Sequence, residues 1–299
     1  MATIGEIAGL LTSLFFAVNA VVITKAARTV GSSVIANRAR LVFALLYLVI
    51  LNTVLYHQVL PFQAGTQRWT WLSLSGVIGL AVGDAFLFQA YLMVGARLGT
   101  LLLSLSTLFG ALEAWIFFGE SLSMLEIIGI ALTLGGIIWV ILEQGNHTSQ
   151  DLRPSALGIL CGILAALGQA TGLVFSKQGM AGNFSPISGN VIRMCAAVLA
   201  FWLVTLLQGE AGKTIQTLKE NPAALRLLAL AALIGPVFGV SLSLLAVQNT
   251  AVGIASVLTS LSPIFMLPIS HFYFKERLGW QAIAGTVLAM TGVVILFLA

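Results

Sequence analysis

Residues 76–90, GVIGLAVGDAFLFQA, and residues 232–246, ALIGPVFGVSLSLLA, decide the fold, because they are two copies of one segment. The copy extends well beyond them. Residues 76–140 lie on residues 232–296 at a constant offset of 156, with 16 identities in 65 positions and no gap. Gly79 matches Gly235, Gly83 matches Gly239, Ser104 and Ser106 match Ser260 and Ser262, and Glu120 matches Glu276. Most other pairs are apolar on apolar. Toward the N-terminus the match continues at slightly smaller offsets: Lys25 falls on Lys177, and Asn37 and Arg40 fall on Asn190 and Arg193. A duplicated hydrophobic chain points to a transporter of two repeats with its site where they meet.

Composition names the solvent. Only 8% of the 299 residues are charged and 59% are hydrophobic. The mean hydropathy is +1.04. Soluble domains carry about 25% charge, so lipid must cover this surface. The net charge of +4 would suggest nucleic acid in a soluble protein. Here the basic residues sit at the ends of apolar runs and read as topology signals and headgroup anchors, with no nucleic-acid partner. Cys161 and Cys195 lie inside apolar runs and read as packing residues. Glu6 is the only charge before Lys25, so a basic signal-peptide start is missing and the first segment reads as a membrane helix.

A spanning helix needs about 20 apolar residues. Ten segments fit: 4–24, 34–56, 69–93, 98–118, 124–143, 155–176, 187–208, 223–247, 250–272 and 279–298. The predicted fold is all-α: two five-helix repeats over 1–145 and 155–299, a linker at 146–154, and a central cavity. The stretch from Gln208 to Asn221 reads as a polar connection. Five spans per repeat force the second repeat into the membrane from the opposite side, so the repeats are inverted and both termini share one side. Counting Lys and Arg in the loops puts the termini outside.

Ionisable groups at membrane depth are costly and usually face a cavity or a partner. Asp84 is mid-span, with Phe88 and Tyr91 on its helical face. An acid beside two rings suits a substrate ammonium with an apolar body. Its counterpart in the second copy is Val240, so the acid is not part of the duplicated scaffold. The competing reading is an internal pair with Lys25, Arg40 or Arg193. Glu113, opposite Ile269, is a second candidate acid. Asn19, Gln169 and Thr171 are uncharged polar groups at similar depth. Glu120 and Glu276 read as caps at helix ends. Lys25, Lys177, Arg40 and Arg193, all near span ends, read as chains reaching for headgroups, or else as the cationic lining of a vestibule. Gly79, Gly83, Gly235, Pro236 and Gly239 are candidate gate hinges, because Pro236 removes a backbone hydrogen bond within a helix.

The absences narrow the field. There is no H-E-x-x-H and no metal spacing among His57, His147 and His271. There is no phosphate-binding loop of the G-x-x-x-x-G-K-[ST] kind and no G-x-S-x-G elbow. The chain reads as a non-enzyme with no cofactor and no metal.

Each repeat closes on a matching string: Phe118-Gly119-Glu120-Ser121-Leu122 followed by Gly129 and Gly136, and Phe274-Lys275-Glu276-Arg277-Leu278 followed by Gly285 and Gly292. With ten spans in two repeats, the chain resembles the EamA family of the drug/metabolite transporter superfamily, and within it amino-acid exporters of the YddG type. The resemblance implies a basket of helices with spans 5 and 10 at its periphery. It also implies export of small metabolites from a bacterial cell across the inner membrane, and cytoplasmic termini, opposite to the basic-residue count. The second copy departs at Lys275 and Arg277, where the first has Gly119 and Ser121. The expected function is alternating-access export of amino acids, with Asp84, Phe88, Tyr91, Asn19, Gln169 and Glu113 lining the site. The expected partners are a small-molecule substrate and membrane lipid, and a monomer suffices. Two alternatives remain open: an exporter of hydrophobic cations, or a non-transporting scaffold or lipid enzyme. Asp84 in a plain salt bridge between tightly packed spans would favour the last.

Overall fold

The computed structural model describes residues 4–118, 123–147, 155–182, 184–249, 258–273 and 279–298. Among these it is all helix apart from short turns. The first repeat holds α1 (Ile4–Val30), α2 (Ser33–Tyr56), α3 (Thr66–Ser75), a π-helical segment (Gly76–Gly83), α4 (Asp84–Leu103), α5 (Leu105–Phe118) and α6 (Met124–His147). The second holds α7 (Ala156–Gly179), α8 (Pro186–Leu207), α9 (Ala211–Glu220), α10 (Pro222–Ala232), a second π-helical segment (Leu233–Val240), α11 (Ser241–Asn249), α12 (Ser262–Tyr273) and α13 (Trp280–Leu298). Grouped across the π-helical segments, divided at Gly95 and with the short α9 set aside, the described helices fall on the ten expected segments, and six helices among the described residues are long and apolar enough to cross a membrane.

Local chemistry sets the boundaries. Ser32 and Ser185 occupy the same place in the two repeats. Each caps the helix that follows, its hydroxyl accepting from the N–H of Ile35 or Ser188. Pro186 at the first turn of α8 has no N–H to leave unpaired. Gly95, at φ 81°, breaks α4 and separates the third span from the fourth, a conformation open to glycine without strain.

Side-chain contacts establish the inversion. Ser188, at the start of α8, donates to Asn52 near the end of α2 at 2.8 Å. At the opposite end Arg38, near the start of α2, reaches Thr214 and Glu210 just past the end of α8. α2 and its equivalent in the second repeat, α8, therefore run antiparallel. Arg68 at the start of α3 likewise donates to the Ala181 carbonyl just past α7. The exterior is apolar, with Leu203, Leu206 and Leu207 exposed, while Asn37, Arg40, Asp84, Asn190 and Arg193 are buried. That is the arrangement lipid solvation requires.

α6 and α13, the fifth and tenth spans, pack chiefly on each other. A Cβ at Gly136 would collide with the Ala289 backbone, and one at Gly292 with that of Thr133. These glycines let the two backbones meet directly.

The structure corrects the expected polar connection from Gln208 to Asn221, most of which is helix α9. Its Thr214 is buried against Arg38. The hydrogen bond and charge of Arg38 hold the Glu210 carboxyl below its ordinary range. A cavity of about 520 Å³, lined by Ser32, Ile35, Arg38, Lys213 and Thr217 among others, opens beside this pair. The expected caps Glu120 and Glu276, the closing strings around them, Lys275, Arg277 and most of the linker lie outside the described residues.

Candidate functional site

Both π-helical segments fall on the predicted hinges, Gly79 and Gly83 in one copy and Gly235, Pro236 and Gly239 in the other. Such a segment widens the helix and misaligns carbonyls with their usual donors. Side chains from neighbouring helices take them up. Asn37 donates to the Ala81 carbonyl at 3.3 Å, and its repeat partner Asn190 donates to the Pro236 carbonyl at 2.8 Å. Each segment also packs against the first helix of the other repeat. A Cβ at Gly172 of α7 would lie 3.0 Å from the Gly79 Cα, and one at Gly168 would lie 3.1 Å from the Gly83 Cα. On the other side Asn19 and Phe16 of α1 lie against Gly235 and Gly239.

Asp84 opens α4 directly after the first π-helical segment and is 5% exposed. Arg40 Nη2 donates to its Oδ2 at 2.5 Å and also to Asn37 Oδ1 at 3.1 Å. Gln169 Nε2, from the other repeat, donates to Asp84 Oδ1 at 2.7 Å and to the Gly79 carbonyl at 3.4 Å. The Arg40 guanidinium lies 4.9 Å over the Phe88 ring, which stacks on Tyr91 with centroids 6.2 Å apart. The cluster thus joins Arg40, Asp84, Phe88, Tyr91 and Gln169, drawn from α2, α4 and α7.

Two sequence-level readings change here. Asp84 is already paired, as the competing reading had it, so it is not a vacant counter-charge for an ammonium group. Arg40 and Arg193 do not reach for headgroups: they are 3% and 5% exposed. Arg193 lies close enough to Asp84 to feel its charge without hydrogen-bonding it. The Asn-x-x-Arg spacing common to both repeats was the signal for this buried pair. The burial of both arginines removes the headgroup reading and leaves the other sequence reading, the cationic lining of a vestibule, standing.

The remaining candidates lie apart from the pair. Thr171 donates to Glu113 at 2.5 Å. Thr171 is two residues beyond Gln169, roughly 200° around α7, so Glu113 sits on another side of that helix. Asn19 packs on the second π-helical segment, and its buried Oδ1 has no hydrogen-bond partner. Lys25 sits at 5.9 Å from the Tyr273 ring. No group of three or more His, Cys, Asp or Glu able to hold a metal occurs among the described residues.

The sequence model of the EamA-like transporter family matches residues 3–142 and 156–298, one match per repeat. No curated protein matches the chain. Among solved structures, one crystal structure of a protein is similar over 97% of this chain and 95% of its own, with TM-score 0.62 and 12% identity. At that identity the likeness is one of fold.

Proposed function

The chain belongs to the EamA-like transporter family, and from that premise we propose that it exports small metabolites of the amino-acid class by alternating access. The observation that carries this reading is the buried Arg40–Asp84–Gln169 cluster. It ties the two repeats together beside the first of the two π-helical segments. A charged network at that depth is costly in lipid, and a scaffold could dispense with it by using apolar residues of similar volume. Gln169 enters the bridge from the other repeat and Arg193 stands beside it, which supports the transport reading over a scaffold held by a plain salt bridge. Hydrophobic cations fit less well, since Asp84 is already occupied by Arg40. The bacterial inner membrane as location belongs to this same proposal.

Proteoliposomes holding the purified chain and loaded with radiolabelled amino acids test it, with and without a pH gradient. Flux of at least one amino acid above empty vesicles is expected. Flux of a cationic dye with no amino-acid flux would overturn the choice of substrate.

A further inference from the structure

The two copies of the Asn-x-x-Arg spacing differ in what surrounds them. In the first, Arg40 is held by Asn37 Oδ1, Asp84 Oδ2 and the Phe88 ring. In the second, the place of Asp84 is taken by Val240 and the place of Phe88 by Leu244. Arg193 makes no hydrogen bond and no ion pair with any described residue, and its Nε is buried without a partner. The Oδ1 of Asn190, one turn earlier on the same helix, is likewise unpartnered. The Arg193 Nη2 lies 3.7 Å from where a Gly79 Cβ would stand, so the guanidinium points at the first π-helical segment, beside the Asp84 cluster.

This centre holds two guanidinium groups and one carboxylate. A buried cation without an anion is strongly unfavourable, and a planar guanidinium fork matches a carboxylate with two parallel hydrogen bonds. We propose that the substrate is a small carboxylic acid whose carboxylate binds Arg193, supplying in the second repeat the charge that Asp84 supplies in the first. The free Asn190 Oδ1 accepts a donor next to that carboxylate, since residues three apart on a helix are neighbours. The class that carries both groups is the 2-amino or 2-hydroxy acid. This assignment rests on the transport reading and specifies which end of the substrate goes where.

The test uses the purified full-length chain. Its thermal unfolding is followed with the proteinogenic amino acids, their 2-hydroxy analogues and the corresponding amides. Carboxylates are expected to raise the Tm and amides to leave it unchanged. Arg193→Gln should weaken the responding carboxylate roughly thirtyfold or more, the scale of removing one partner of a buried charge pair. Val240→Asp, which provides an internal carboxylate, should remove the response while unfolding cooperatively on its own. The proposal is overturned if amides stabilise as well as acids, if no carboxylate stabilises, or if either variant keeps the wild-type affinity. Flux separates it from the transport reading. Amides or amines that cross while acids neither cross nor bind overturn the Arg193 assignment and leave transport standing. Acids that bind while no solute crosses leave the assignment standing and overturn transport.

Discussion

Asp84 could be found from sequence because a lone carboxylate in an apolar run has few tolerable surroundings. Its partner could not. Arg40 lies 44 positions away, and only packing of α2 on α4 brings the two together. Depth was the clue available. Arg40 is the eighth residue of a helix capped by Ser32, so its Cα lies roughly 10 Å inside that end at 1.5 Å per residue. The length of the arginine side chain made a headgroup contact equally readable. The pairing has an energetic signature. Asp84→Asn leaves two buried guanidiniums against no carboxylate and should destabilise the protein by about 3–5 kcal/mol. Adding Arg40→Gln should recover part of that loss, so the double-mutant cycle is expected to be non-additive. Strict additivity in denaturant or thermal unfolding would show the pair to be uncoupled.

Helices themselves were legible because apolar runs of spanning length admit few other structures in lipid. Their interruptions were less so. Glycine and proline marked where the third and eighth spans leave the α-helical pattern, but not that the backbone would widen there. That outcome depends on donors from other helices, Asn37, Asn190 and Gln169, which no local pattern reveals. α9 escaped notice because its apolar side amounts to little more than Ile215 and Leu218. The close approach of α7 to the first π-helical segment leads to a prediction for these elements. Gly172→Val places a branched side chain where even a Cβ would sit 3.0 Å from the Gly79 backbone. It should abolish flux in proteoliposomes through loss of the backbone contact. Wild-type flux in this variant would show that the contact is not part of the gate.

For the whole molecule, the inversion came from an odd span count and agrees with contacts at both ends of α2 and α8. It predicts sidedness pairwise. In a background without Cys161 and Cys195, Arg28→Cys and Gln208→Cys should react with an impermeant thiol reagent from one side of the membrane. His57→Cys and Ala181→Cys should react from the other. All four positions are exposed. Labelling of all four from a single side would contradict the inverted arrangement. Which side is cytoplasmic was the one global property on which basic-residue counting and family resemblance disagreed, and the same experiment answers it.

The π-helical segments have a consequence for motion. A turn closed by i→i+5 bonds holds one residue more than an α-turn. If those bonds slip back to the α-pattern, everything beyond the segment rotates by about 100° and advances by about 1.5 Å. Asp84 is the first residue beyond one segment and Ser241 the first beyond the other. A one-residue slip would swing the carboxylate away from Arg40 while leaving the helix ends almost where they were. Each hinge would then act as a rotary switch for charge, coupling the opening of a gate to the release of a guanidinium.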